Sequence, residues 1–322
     1  MAASKPIIFV TRRLPDAVED RLRRDYRPLL NPDDRSYGAD ALIERCADAE
    51  AVLTCSTEAW PAAQIERLPG GVRAIATFSV GADHIDLAAA RARGITVTNT
   101  PDVLTEATAD VALLCLLGAA RRAFEAEALV RIGRWTGWSP TQLLGLDLNG
   151  AVLGIVGMGR IGQAVARRAR GFGLQIHYHN RTRLPPDLEQ GAVYHDSLHS
   201  LLPHCRFLSL HCPGTAETLR MIDDRSLALL PEGAVLVNTA RGALLDDEAV
   251  LAALNDGRLF AAGLDVYAGE PDLHPGYRTQ RNCFLLPHLG SATVETRDAM
   301  GFRCLDNLDA IFAGRPAPDV LD

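Results

Sequence analysis

No apolar run in this 322-residue chain is long enough to cross a bilayer. The longest runs only from Val111 to Ala120, between Asp110 and Arg121, and reads as a buried helix. The opening stretch MAASKPIIFVTRR holds only the short apolar run Ile7–Val10, too little for a signal-peptide core. No Cys-x-x-Cys pair occurs among the seven cysteines (Cys46, Cys55, Cys115, Cys205, Cys212, Cys283, Cys304). Scattered and odd in number, they fit free thiols in a reducing cytoplasm and give no zinc site. Basic charge is not in excess: 33 Lys and Arg stand against 40 Asp and Glu, a net charge of -7. That balance excludes nucleic acid as a general partner, and pairs such as Arg12-Arg13 and Arg167-Arg168 read as solvated edges. Repeats and low-complexity tracts are also missing. The expected setting is therefore the cytoplasm, with neither membrane nor nucleic acid as partner.

What remains is an ordinary globular composition, 48% apolar and 23% charged, with length enough for two domains. Strand-like runs alternate with helical segments, which predicts parallel sheets. Ile7–Thr11, Ala51–Leu53, Val72–Ala76 and Ile95–Thr98 read as strands. Asp16–Asp25, Ala39–Cys46, Gln64–Leu68 and Asp86–Arg93 read as the helices between them. One helical stretch spans Thr105–Arg131. A second strand series follows at Val152–Val156, Gln175–Tyr178, Phe207–Leu210, Ala234–Asn238, Leu259–Ala262 and Phe284–Leu286. A last helix, Thr293–Phe312, has Leu305, Leu308 and Phe312 spaced to bury one face and is expected to pack on the first domain. The predicted fold is two doubly wound α/β domains with an interdomain cleft. A flavodoxin-like substrate domain takes residues 1–100 and 290–322, and a Rossmann cofactor domain takes 101–289.

The richest segment is Ala151–Arg183. An apolar run meets Gly157-Met158-Gly159-Arg160-Ile161-Gly162, a helical pattern follows, and a second short strand closes the unit. Gly157 permits the tight turn, Gly159 admits a pyrophosphate to the backbone, and Gly162 lets helix pack on strand. The pyrophosphate would sit at the helix N-terminus, beside Arg160 and Ile161. An NAD-binding unit places Asp or Glu on the ribose 2′-hydroxyl at the end of its second strand. Here that place holds Asn180, Arg181, Thr182 and Arg183, with no acid in this run. Two guanidiniums and a hydroxyl suit a 2′-phosphate, so NADPH/NADP+ is the expected cofactor, with NADH admissible. A solvated basic turn is the ordinary alternative.

Hydride transfer to a carbonyl also needs a cation for an α-keto acid, a proton donor near neutrality and a group that tunes the donor. Arg241 in Asn238-Thr239-Ala240-Arg241-Gly242, Glu270 before Pro271 and His288 after Pro287 all lie at strand ends. Taken singly, each has a plainer reading: a salt-bridge partner, a loop acid, a structural cap. The remaining histidines carry less. His84 reads as a structural hydrogen-bonder, and His195, His199, His204 and His274 as surface or loop residues. His177 and His179 share a strand face, but no third ligand has suitable spacing, so no metal is expected. Trp135 and Trp138 sit in the polar segment Gly133–Pro140.

In these residues the chain resembles the D-isomer-specific 2-hydroxyacid dehydrogenases, and within them the glyoxylate/hydroxypyruvate reductases. The ordered motifs are Val80-Gly81-Ala82-Asp83-His84-Ile85-Asp86, Arg93-Gly94-Ile95 through Asn99-Thr100-Pro101, Thr105-Glu106-Ala107-Thr108-Ala109-Asp110, the glycine fingerprint, His211-Cys212-Pro213, Thr239-Ala240-Arg241-Gly242, Ala262-Gly263-Leu264-Asp265-Val266 and Pro287-His288 through Gly290. They span nearly the whole chain. The resemblance implies a catalytic set of Arg241, Glu270 and His288. It implies backbone donors to the substrate carboxylate at Val80 and Gly81, and Asp265 fixing the nicotinamide carboxamide. Thr105, Cys212, Pro213, Thr239, Ala240 and Gly290 become cofactor neighbours. It further implies a homodimer in which the Gly133–Pro140 segment crosses the two-fold axis and Trp138 approaches the partner's substrate site; packing on its own domain is the alternative. The expected activity is NADPH-dependent reduction of small 2-keto acids, glyoxylate and hydroxypyruvate, to D-2-hydroxy acids. The rivals are a 2-ketogluconate-type reductase and a dinucleotide-sensing binding protein of the same fold.

Overall fold

The structure, a computed structural model, describes residues 5–321. The first four residues of the opening stretch MAASKPIIFVTRR lie outside them. The chain forms two compact units, one within Met1–Leu104 and Ser291–Asp322, the other Thr105–Gly290.

The first unit holds a five-stranded parallel sheet of β1 (Ile7–Val10), β2 (Arg27–Leu29), β3 (Ala51–Thr54), β4 (Ala74–Thr77) and β5 (Thr96–Thr98). Its order, β2-β1-β3-β4-β5, is the flavodoxin-like winding. β3 and β4 are buried at every position, which is why they read as unbroken apolar runs. β2 is additional to the expected strands. Arg27-Pro28-Leu29 is a short edge strand with exposed ends, and proline is tolerated there because no further strand needs its N–H. The helix Val294–Phe312 begins at Thr293, whose hydroxyl accepts the Thr296 N–H, and packs on β4 and the helix Asp16–Asp25. Its Leu305 and Leu308 are fully buried with Ile8, Val10, Ala74 and Ala76.

The second unit holds a seven-stranded parallel sheet: β6 (Val152–Val156), β7 (Gln175–His179), β8 (Val193–His195), β9 (Phe207–Leu210), β10 (Ala234–Asn238), β11 (Leu259–Leu264) and β12 (Cys283–Leu285). The order β12-β11-β10-β9-β6-β7-β8 reverses direction between β6 and β9. That reversal is the topological switch point, where nucleotides bind outside the carboxyl ends of the strands. β8 is a seventh strand beyond the six expected, and another three-residue edge strand. The stretch expected as one helix over 105–131 is two, Thr105–Ala120 and Ala123–Arg131, separated by Arg122 in a left-handed conformation (φ 53). The break has a partner: Leu146 N–H takes the Ala120 carbonyl at 2.9 Å, so the returning chain replaces the next helical turn. The first of these helices is buried on most sides against β10, β11 and the helix Arg160–Arg170. No described helix is long and apolar enough to cross a membrane.

Candidate active site

The glycine loop leaves β6 at Val156. Gly157 has φ 92, and its N–H donates to the His179 carbonyl of β7 at 3.0 Å. A Cβ there would stand 2.5 Å from Cys212 N, so only glycine fits between β6 and the end of β9. Gly162 packs on Gly157 in the same way, whereas a Cβ on Gly159 would meet nothing within 4 Å. Gly159 opens the helix Arg160–Arg170, where Ile161 is half-buried in the first turn. The cradle is therefore tight on its protein side and open at the helix N-terminus, the shape a pyrophosphate requires. Beside it, Cys212 is half-buried and its thiol is pushed up to about 11 by burial, while Pro213 is exposed. His211 shares a hydrogen bond with Ser209 Oγ at 2.8 Å; burial pushes its imidazole down to about 4, so it is neutral at physiological pH.

The end of β7 differs from its expected form. Asn180 Oδ1 accepts the Met158 N–H at 2.6 Å and so fastens the turn to the glycine loop. Arg181 and Thr182 are exposed. Arg183, however, is engaged by a carboxylate: Nε and Nη2 donate to Glu189 Oε1 and Oε2 at 2.8 and 3.1 Å. The turn thus does carry an acid. Pro185 and Pro186 start a one-turn helix, Pro186–Glu189, that folds Glu189 back onto Arg183.

Arg241 follows β10. Asn238, fully buried at the strand end, shapes the turn: its Oδ1 accepts Ala240 N–H at 3.0 Å and its Nδ2 donates to the Arg241 carbonyl at 2.8 Å. Sequence reading assigns Asn238 no role of its own; an Asn closing a strand beside a turn is the signal that was there. Thr239, also buried, has no hydrogen-bond partner for its hydroxyl among the described residues. Gly242 is needed for contact rather than for its dihedral angles. A Cβ on it would fall 1.8 Å from the Tyr267 carbonyl carbon, so the Arg241 turn and the segment leading to Glu270 touch backbone to backbone.

Glu270 Oε1 accepts Tyr267 N–H at 2.7 Å, and its Oε2 meets His288 Nδ1 at 2.8 Å. His288 sits in a left-handed conformation, φ 56, that non-glycine residues seldom adopt. Asp265 over-determines it. Its carbonyl accepts His288 N–H at 2.9 Å, and its buried carboxylate accepts Leu289 and Gly290 N–H at 2.6 and 2.8 Å. The Gly290 carbonyl in turn accepts from Thr108 Oγ1 at 3.2 Å. Thr105 begins the same helix and is half-buried. The hydrogen bond to Glu270 raises the His288 imidazole above its ordinary range against the opposing effect of burial. Burial pushes the Glu270 carboxyl up, but bonds from His288 and Tyr267 N–H outweigh it and leave the group below the usual carboxylate value. The Arg241 charge acts on both. Burial raises the Asp265 carboxyl.

One unit therefore brings together Arg241, Glu270, His288, Asp265 and the glycine cradle, all at carboxyl ends of β6, β9, β10, β11 and β12. Val80 and Gly81 belong to the first unit, after β4. There Asn99 Nδ2 donates to the Val80 carbonyl at 2.8 Å and Ser79 Oγ to the Gly81 carbonyl at 2.7 Å. The N–H groups of Val80 and Gly81 have no acceptor among the described residues. Trp138 lies in the irregular segment after the helix Ala123–Arg131 and is 81% exposed. His177, on β7, meets His195 of β8 ring to ring, Nδ1 to Nε2 at 3.0 Å, with His204 beside both. His195 is thus a strand residue packed in a cluster. Among the described residues no group of three or more His, Cys, Asp or Glu could hold a metal ion.

Comparison with known proteins bears on the family and the fold. Residues 113–290 match the family model described as "D-isomer specific 2-hydroxyacid dehydrogenase, NAD binding domain". The chain is 44% identical over 313 residues to a glycerate dehydrogenase of Hyphomicrobium methylovorum, covering 97% of each. It is 42% identical over 323 residues to a glyoxylate reductase of Thermococcus litoralis, covering 99% of this chain and 97% of that one. Among solved structures, an NADPH-dependent glyoxylate/hydroxypyruvate reductase of Sinorhizobium meliloti in complex with NADP and malonate superposes with TM-score 0.89 at 36% identity, over 99% of this chain and 97% of that one.

Proposed function

The chain belongs to the D-isomer specific 2-hydroxyacid dehydrogenases, oxidoreductases acting on CH–OH groups, and from that membership we propose an NADPH-preferring reductase of small 2-keto acids, glyoxylate and hydroxypyruvate first among them. The observation that carries the reading is the His288–Glu270 pair at 2.8 Å beside Arg241, at the edge of an open glycine cradle. When bound, the nicotinamide supplies a hydride to the keto carbon. Arg241 binds the substrate carboxylate and polarises the keto oxygen through its planar fork. Within the first unit, the N–H groups of Val80 and Gly81, which have no acceptor among the described residues, are carboxylate donors in their own right in this reading. His288, with Nδ1 committed to Glu270, gives the Nε2 proton to the oxygen as negative charge develops there. Glu270 orients the ring and stabilises its charged form. Asp265, Thr105, Cys212, Pro213, Thr239, Ala240 and Gly290 line the cofactor's path, with the unpartnered Thr239 hydroxyl and the glycine cradle supporting that placement. The direct test follows NADPH and NADH oxidation with glyoxylate, hydroxypyruvate, pyruvate and 2-ketogluconate. Turnover of 2-ketogluconate with none of glyoxylate overturns the substrate assignment.

NADPH preference rests on the basic turn. Arg181 is exposed and has no hydrogen-bond or ion-pair partner among the described residues. A charge-assisted bond from it to the 2′-phosphate is worth about 1.5–3 kcal/mol, so Arg181→Ala weakens NADPH about 10- to 150-fold. NADH binding stays nearly unchanged. Equal losses for the two cofactors in a fluorescence titration sink the assignment.

A cytoplasmic homodimer completes the reading. All seven cysteines are free thiols, as a reducing compartment maintains. The helix Ala123–Arg131 has no buried residue, and Val130, Ile132, Trp135, Trp138 and Leu144 stand exposed along it and the segment beyond. An apolar surface of this kind marks an interface. Trp138→Ala is expected to remove an anchor worth about 2 kcal/mol or more and so weaken the dimer about 30-fold or more. Preference should relax from glyoxylate toward bulkier keto acids at the same time. Sedimentation equilibrium checks the first effect and the keto-acid panel the second; an unaltered dimer with unaltered preference returns Trp138 to a local role.

A further inference from the structure

Glu189 is almost fully buried, yet its ion partner, Arg183, is mostly exposed. Two elements hold the carboxylate in place. Tyr178 Oη of β7 donates to Oε1 at 2.6 Å, and the same Oη accepts the Leu184 N–H at 3.0 Å, which ties the turn to the strand. Arg183 spends its Nε–Nη2 edge on both carboxylate oxygens, and its guanidinium lies 5.7 Å from the centroid of the Tyr194 ring on β8. Bonds from Arg183 first, then Tyr178, hold the Glu189 carboxyl below its usual range, so it is ionised at neutral pH. This network stands where the second strand of a dinucleotide fold meets the adenosine ribose, fastened to the glycine loop by Asn180.

A 2′-phosphate arriving there meets two cations in different states. Arg181 has no partner among the described residues. Arg183 arrives already neutralised, with its side-on edge occupied and only the Nη1 side left to offer. We propose that Glu189 is a specificity-determining residue that competes with the cofactor's 2′-phosphate for Arg183 and so limits the enzyme's preference for NADPH over NADH. The inference rests on reading the 181–183 turn as the 2′-phosphate site. NADH carries no such group and is indifferent to the contest.

The test is Glu189→Gln, which keeps the shape and an acceptor for Tyr178 while removing the charge. The measurements are dissociation constants for 2′,5′-ADP, NADPH and NADH at one ionic strength. We expect 2′,5′-ADP and NADPH to bind about three- to tenfold tighter, the scale of releasing a partly exposed ion pair, with NADH within about twofold of wild type. Unchanged or weaker NADPH binding alongside unchanged NADH overturns the proposal. Arg183→Gln answers the same question should the first variant misfold. A guanidinium already occupied contributes little, so its loss is expected to cost NADPH less than about threefold, against about tenfold or more for Arg181→Ala. A loss equal to that of Arg181→Ala overturns the proposal. The two levels separate cleanly: if Arg181→Ala leaves 2′,5′-ADP binding unchanged, the turn is not the phosphate site. If it weakens that binding while Glu189→Gln changes nothing, only the role of Glu189 falls.

Discussion

His288→Ala lowers kcat for keto-acid reduction by about 10²- to 10⁴-fold, the range for losing a positioned general acid, while NADPH affinity changes little. One nitrogen of the imidazole is bonded to the Glu270 carboxylate at 2.8 Å, and the second has no partner among the described residues. The raised pKa fixes the sign of the pH dependence. Reduction needs the protonated ring, so kcat is expected to be flat at lower pH and to fall as pH rises through the raised His288 value. Glu270→Gln removes the main cause of that rise and should move the alkaline limb to lower pH. The same pair contributes to stability with opposite pH slopes at its two ends. The His288 contribution is full below the ordinary imidazole value and is lost as pH rises through the raised one. The Glu270 contribution is full above the ordinary carboxylate value and is lost as pH falls through the lowered one. More than about a third of wild-type kcat retained by His288→Ala, with chemistry limiting turnover, excludes the ring as the acid.

Arg241→Ala is expected to be as damaging but to distribute the damage differently. Two charge-assisted bonds, to carboxylate and keto oxygen, are worth about 1.5–3 kcal/mol each, so kcat/KM for glyoxylate should drop about 10²- to 10⁴-fold. Carboxylate binding is made in ground and transition states alike and appears in KM. Polarisation of the keto oxygen strengthens as charge develops and appears in kcat. Arg241→Lys restores the charge without the planar fork and should recover only part of either parameter. Wild-type kinetics in the Lys variant would falsify the clamp and leave the keto acid to the Val80 and Gly81 N–H groups.

The doubly wound architecture was legible because its central strands are buried on both faces. β3, β4, β9 and β10 are buried at every position, and their largely apolar runs cannot be placed on a surface. β2 and β8 were not legible. Each is three residues at a sheet edge, held by one neighbour, and neither Arg27-Pro28-Leu29 nor Val193-Tyr194-His195 has the pattern of a buried segment. The break at Arg122 was hidden for a related reason. It is matched by Leu146, far along the chain, rather than signalled by any local breaker. In the candidate site, residues at strand ends could be placed from sequence because the winding puts strand ends together. The Glu189 contact with Arg183 could not, since it depends on how a two-proline turn folds back. Nor could the Asp265 grip on Leu289 and Gly290, which joins two loops through backbone N–H groups that almost every residue has.

The placement of the helix Val294–Phe312 reaches into biosynthesis. Leu305 and Leu308 complete the core of a sheet whose strands, β1 to β5, all precede Asn99 in the chain. A ribosome thus releases the five strands first, then the whole of Thr105–Gly290, and only then the helix that seals the first unit. The unit begun second is the first able to finish, while Ile8, Val10, Ala74 and Ala76 wait with an apolar face uncovered. Nascent chains carry their greatest exposure of sticky surface in that interval, which is where chaperone demand and aggregation during expression should concentrate.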